Sequence, residues 1–222
     1  MGIGTSSHSE APVPVLTIAS SKGGPGKTTI AMLLAGSLAA EGRRVVALDA
    51  DPTLAFSRWA RNAYEGPAFE THAEVDETRL AHLIDRMAGA ADIVIVDTAG
   101  FGNRAAAVAM TSAAAILVPT LSGEADVTEA EKTVRLAEGL ARAARRDIPT
   151  AELLNKVRRT QLARHAAQEI AAAGLPRLES TLSDLVAYGE LSYSGRLPQA
   201  GPAVAEIAGL LAELRARGWL ET

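Results

Sequence analysis

The sequence of 222 residues contains no cysteine. That absence excludes disulfides, thiolate metal sites, an iron–sulfur cluster and a cysteine nucleophile, so any metal must be held by oxygen or histidine. No apolar run approaches the roughly 18 residues a membrane-spanning helix needs, and the first residues lack the charged start and apolar stretch of a secretory signal. Neither sign of charge dominates. The formal net charge is −4 with both signs spread along the chain, so affinity for DNA or anionic lipid must come from a local patch. The four histidines, His8, His72, His82 and His165, lack the spacing with glutamate of a metalloprotease helix, and no transition-metal site is expected. No linker and no internal repeat divides the chain. The expectation is a flexible Gly/Ser-rich tail over residues 1–12, where Met1-Gly2-Ile3-Gly4-Thr5-Ser6 fits the loose myristoylation pattern by chance, followed by one domain over residues 13–222.

What is present is a regular alternation. Val13 to Ser20 reads as a first strand, a Gly-rich turn leads to a helix over about Lys27 to Glu41, and the apolar run Val45-Val46-Ala47-Leu48 ends at Asp49. Helices near Leu54 to Ala63 and Glu77 to Ala88 precede a strand at Ile93-Val94-Ile95-Val96, and a short helix precedes a strand at Ala115 to Val118. A long charged helix over about Glu124 to Arg145, a strand over Thr150 to Leu154, and helices near Gln161 to Ala173 and Ala203 to Arg217 complete the pattern. Apolar strands without polar alternation, separated by helices, predict a doubly wound, mostly parallel α/β sheet covered on both faces, with ligands at the carboxyl edge of the strands.

The chemistry sits at the first strand-to-helix junction. Ser21-Lys22-Gly23-Gly24-Pro25-Gly26-Lys27-Thr28-Thr29 has the composition and context of a phosphate-binding loop. Glycines let backbone N–H groups converge on phosphates, the helix N-terminus adds partial positive charge, Lys27 can reach the β and γ oxygens, and the Thr28 hydroxyl can ligate magnesium. The match is a variant. The strict pattern wants glycine where Ser21 stands, and Pro25 removes one N–H donor.

With its second lysine, Lys22, the loop resembles the deviant Walker A motif of the ParA/MinD partition and positioning ATPases. The resemblance covers roughly residues 13–200 and implies a P-loop ATPase that uses ATP and Mg2+. It implies that Lys22 reaches the partner subunit's phosphates in an ATP-dependent homodimer, although an isolated lysine there would read as a solvated charge. Leu48-Asp49-Ala50-Asp51-Pro52 is similar to the family's switch I, which gives Asp51 the attacking water to position. Asp49 either supports the metal's water shell or caps the next helix. Ile93 to Gly100 resembles a Walker B strand running into switch II, with Asp97 holding magnesium through water, but Ala99-Gly100-Phe101-Gly102 stands where a proline often follows Asp-Thr. Asn155 matches the strand-end asparagine that binds adenine in the family, or else simply makes a turn. Leu182 to Pro198 is similar to the C-terminal region of short ParA-type proteins.

The resemblance further implies nonspecific double-stranded DNA as a partner, a ParB-like or other adaptor that stimulates hydrolysis, and a cytoplasmic, nucleoid-associated protein without an N-terminal helix-turn-helix or a membrane partner. Arg142, Arg145, Arg146, Lys156, Arg158, Arg159 and Arg164 are the basic residues that could face DNA, or else a solvated helix face paired with Glu129, Glu131 and Glu138. Two alternatives share the nucleotide residues: a MinD-like membrane-cycling ATPase and an ATP-dependent ligase on the same fold. The stripe of Val204, Ile207, Leu210, Leu211 and Leu214 bears on the first, because Glu206, Glu213 and Glu221 outnumber Arg215 and Arg217. A nucleotide-binding scaffold with an idle Asp51 is a third.

Overall fold

A computed structural model describes residues 13–100, 102–158 and 161–221, apart from the side chains of residues 161–163. The expected tail over residues 1–12 therefore lies outside the described residues. Seven strands, β1 (Val15–Ile18), β2 (Val45–Ala50), β3 (Glu70–Ala73), β4 (Ile93–Thr98), β5 (Ala115–Thr120), β6 (Thr150–Val157) and β7 (Arg177–Ser183), form one sheet in the order β3-β2-β4-β1-β5-β6-β7. Every strand pair is parallel. The central strands are buried along their whole length, which is why they read as unbroken apolar runs.

Among the described residues there are eight helices, six connecting successive strands and two following β7. They are α1 (Lys27–Ala40), α2 (Ala55–Asn62), α3 (Glu77–Ala88), α4 (Arg104–Ser112), α5 (Glu124–Ala143), α6 (Gln161–Ala172), α7 (Val186–Ser194) and α8 (Pro202–Ala216). Alternating strand residues divide the core. Leu16, Ile18, Ile93, Ile95, Leu117 and Leu153 pack against α1, α2, α7 and α8, whereas Val46, Leu48, Val94 and Val96 meet α3 and α4. Ile116 and Val118 lie against α4 and α5, and Leu154 meets α5 and α6. The doubly wound fold expected from the alternation is the fold observed.

Three elements escaped the sequence reading. β3 is the edge strand Glu-Thr-His-Ala, with no apolar residue but one alanine to mark it. β7 is the other edge, and α7 carries a glycine in mid-helix. Edge strands expose amides that need management, and α8 supplies it for β7. Glu213 accepts from the Glu179 and Ser180 amides at 2.9 and 2.7 Å, and Glu206 accepts from the Ser183 amide at 2.8 Å. Partial burial works against the Glu213 charge, yet the Ser180 and Glu179 amides and the Arg217 guanidinium hold its carboxyl down to about 2. Of the apolar stripe expected on α8, Ile207, Leu210, Leu211 and Leu214 are core, whereas Val204 is exposed.

Candidate functional site

β1 lies between β4 and β5, and its connection through α1 runs to the opposite side from their connections through α4 and α5, so its carboxyl end opens onto a crevice. The phosphate loop fills that junction. Gly24 and Gly26 have φ of 98° and 97°, a region closed to most side chains, and Gly26 is the N-cap of α1. A Cβ on Gly26 would also collide with the Asn155 amide. Lys27, the first residue of α1, is buried and its ammonium donates to the Lys22 carbonyl at 3.2 Å. Burial lowers its pKa, while Asp97 and Asp51 act in the opposite direction.

Three carboxylates gather at the strand ends near this lysine, and two of them, Asp97 and Asp51, act on its charge. Asp49 of β2 and Asp97 of β4 are register partners. Asp49 is fully buried; its Oδ2 accepts from the Ser57 amide at 2.8 Å in the first turn of α2, and its Oδ1 accepts from the Asp51 amide at 3.2 Å. That geometry favours the capping role for Asp49 over metal support. Asp51 accepts the Thr53 amide on Oδ1 at 2.8 Å, and Leu54 follows in a left-handed conformation, φ 51°, so the segment turns sharply into α2.

Asp97 differs from both. It is buried, and neither carboxylate oxygen has a hydrogen-bond partner within the protein. Burial pushes its pKa up to about 7; Thr28 and Lys27 pull it down, and Asp49 and Asp51 push it up. A buried carboxylate whose polar company is only the nearby Thr28 hydroxyl, outside good hydrogen-bond geometry, is costly unless a cation completes it. An oxygen-only donor set beside the Thr28 hydroxyl suits a hard cation such as Mg2+, and the residues present fit that ion.

Lys22 projects from the loop with its side chain half exposed, and its ammonium bridges to Asp126 at 2.7 Å in the first turn of α5. That hydrogen bond and charge raise its pKa. Just before it, the Ser21 amide donates to Thr133 Oγ1 and the Ser21 hydroxyl to the Glu129 carbonyl, both at 2.9 Å. Sequence reasoning missed Asp126, Glu129 and Thr133. Their spacing sets them on one face of a helix, but nothing in it reveals a contact more than a hundred residues back along the chain.

On the other side of α1, a cavity of about 420 Å3 is bounded by Thr29, Ile30, Leu33, Asn155, Leu182 and Tyr188. Asn155 lies on its wall, donating to the Pro25 carbonyl at 2.7 Å, and Lys156 beside it has a left-handed φ of 52°. Asn155 thus braces the phosphate loop as well as facing the cavity. On the outer side, Gly100 of the switch II segment lies against the loop: a Cβ there would sit 3.7 Å from the Ser21 carbonyl. Phe101 lies outside the described residues.

The basic residues do not form one cluster. α5 starts at the carboxyl edge of the sheet and runs back across it, so Arg142, Arg145 and Arg146 lie at the opposite edge from the crevice. There Arg146 donates to the Thr111 carbonyl and Arg142 stands 3.9 Å from Glu138. Lys156 lies at the carboxyl end of β6, Arg158 follows it and Arg164 stands in the first turn of α6, and Arg158 pairs with Asp184 at 2.7 Å. Arg159 lies outside the described residues. The eight residues of β6, at about 3.3 Å each, separate the two groups.

This fold, with a two-lysine phosphate loop facing an unpartnered strand-end aspartate, defines a P-loop nucleotide-binding protein of the ParA/MinD class. The chain belongs to the VirC1 family, whose model, described as VirC1 protein, matches residues 13–211. It is 30% identical over 190 residues to "Protein virC1" of Rhizobium rhizogenes, covering 82% of each chain. It is 35% identical over 125 residues to "Protein ParA" of Rhizobium radiobacter, 56% of each. An ATP complex of a Cyanothece McdA variant superposes with a TM-score of 0.76 at 16% identity, covering 94% of this chain and 98% of that one. At that identity the likeness shows the fold alone.

Proposed function

We propose that the protein is a partition- or positioning-type ATPase that closes an ATP-dependent sandwich dimer, binds nonspecific DNA as that dimer, and hydrolyses ATP slowly until a partner protein stimulates it. The observation that carries this reading is the loop itself. Lys27 is buried and directed inward at its own nucleotide site, whereas Lys22, five residues earlier, is half exposed on the outer face, where a second subunit's phosphates would lie. One lysine serves each subunit's own phosphates and the other the partner's.

The roles follow from position. Backbone N–H groups over Gly23 to Thr29 cradle the phosphates, with Pro25 absent from the donor set. Thr28 and, through a water, Asp97 would hold Mg2+, which would supply charge neutralisation for phosphoryl transfer. Asp51 orients the attacking water from switch I, and Asn155 fixes adenine at the wall of the neighbouring cavity. Phosphoryl transfer asks little covalent chemistry of protein, so positioning and charge suffice for slow turnover. The cargo is a plasmid, a DNA-transfer complex or a protein assembly, reached through an adaptor. The membrane-cycling alternative has less support, because most of the apolar stripe of α8 is used in the core.

Binding of a nonspecific duplex, titrated across salt with ATP and with ADP, tests the proposal. ATP-promoted binding that weakens with salt and survives Asp51→Ala is the expected result. Equal binding with either nucleotide would remove DNA from the account and leave the nucleotide site.

A further inference from the structure

The arm of the phosphate loop that carries Lys22 is sewn to α5. Ser21, which stands where the strict motif has glycine, gives its amide to Thr133 Oγ1 at 2.9 Å and its hydroxyl to the Glu129 carbonyl at 2.9 Å or to Glu129 Oε2 at 3.0 Å. Thr133 is 1% exposed, and its own hydroxyl donates to the Glu129 carbonyl one turn earlier at 2.9 Å. The next peptide is pinned as well: the Lys22 amide donates to Ser20 Oγ and the Lys27 ammonium to the Lys22 carbonyl, both at 3.2 Å. Asp126, Glu129 and Thr133 are spaced three and four apart, so one face of α5 forms the whole mounting.

We infer that Thr133, through Ser21, is a positioning residue that sets the direction in which Lys22 leaves the loop, so that this arm and α5 move as one body. Thr133 touches no phosphate. It acts by supplying the acceptor for a shielded amide that would otherwise be unpaired, and an unpaired amide would let the peptide rotate and carry Lys22 with it. The inference rests on the proposed role of Lys22, and it can be read separately from that role.

The test compares wild type, Thr133→Val, which keeps the shape and loses the acceptor, and Thr133→Ser, which restores it. Three readouts are needed: hydrogen exchange at the Ser21 amide, the acylation rate of the Lys22 amine, and kcat and KM for ATP. In Thr133→Val the Ser21 amide loses protection, Lys22 reacts several-fold faster as its hold on Asp126 loosens, and kcat falls about tenfold with KM within about threefold, whereas Thr133→Ser behaves as wild type. Unchanged Lys22 reactivity in Thr133→Val would overturn the inference. So would kcat and KM worsening together with no rescue by serine, the mark of general damage to the fold. If the wild type never turns over, the proposed function fails, and protection and Lys22 reactivity still decide this inference.

Discussion

At the scale of single residues, two lysines five positions apart are given opposite environments by the same loop. Lys27 is buried against carboxylates and Lys22 sits outside, held by Asp126. Asp126→Ala removes that solvent-facing ion pair, a kind of contact that adds little to stability. It is therefore expected to leave the melting temperature nearly unchanged while increasing the ATP-dependent dimer population. Thermal scans and sedimentation together check this, and a smaller dimer fraction would contradict it. Asp51→Ala is expected to keep ATP affinity within about threefold and to lower turnover at least about a hundredfold, the pattern of a group that acts on the reacting water. Nucleotide titration and phosphate release measure the two effects.

These residue types were legible in the sequence because the phosphate loop is contiguous and its chemistry depends on local order. Asp49, Asp51 and Asp97 could be picked out as strand-end carboxylates. Their division of labour could not, because the amide of Ser57 that engages Asp49 and the unsatisfied oxygens of Asp97 are products of packing. Asp126, Glu129 and Thr133 read only as surface residues of a charged helix, since their partner lies in another element.

At the scale of elements, β6 and the helix covering β7 hold two carboxylates in contrasting states, one fully and one partly buried, and each makes stability depend on pH. On β7's free edge, Glu213 is held charged, with its folded pKa near 2, below its ordinary value of 4.5. Its contribution is fully present above pH 4.5 and is lost as pH falls from there towards 2. Glu213→Gln should lower stability at pH 7 by on the order of 1 to 3 kcal/mol and flatten the acid limb of the stability profile. In the middle of β6, Glu152 is fully buried with neither oxygen hydrogen-bonded. Burial, with Glu131 adding to it and Arg177 opposing it, pushes its pKa up to about 7. A raised carboxyl pKa means that the folded state prefers the proton, so stability falls as pH rises from about 4.5 to about 7. Glu152→Gln should remove that decline and raise the melting temperature at pH 8 while changing little at pH 5. A variant less stable than wild type at pH 8 would show that the charge has a partner.

β3, β7 and α7 were illegible because edge strands show neither a long apolar run nor full burial, and a short glycine-containing helix has weak periodicity. The central strands and long helices were legible because a doubly covered parallel sheet writes its burial directly into the sequence.

At the scale of the whole molecule, the two basic groups lie at opposite edges of the sheet, so a single subunit presents neither as a continuous stripe. Lys156 and Arg164 share the edge that carries the nucleotide site, whereas Arg142, Arg145 and Arg146 do not. If duplex contacts come from the nucleotide edge, Lys156→Ala with Arg164→Ala weakens ATP-promoted DNA binding and reduces its salt slope. Each lost phosphate contact lowers that slope by about 0.9 per subunit. Arg142→Ala with Arg145→Ala then has little effect. The opposite pattern would place the duplex at the far end of α5.

The dimer through which ATP acts is the account's central claim. Sedimentation of wild type, Asp51→Ala and Lys22→Ala with ATP and with ADP tests it most directly. The account predicts monomers with ADP throughout, a dimer with ATP in the wild type, a more persistent dimer in Asp51→Ala, and none in Lys22→Ala. A Lys22→Ala variant that dimerises with ATP as the wild type does would contradict it.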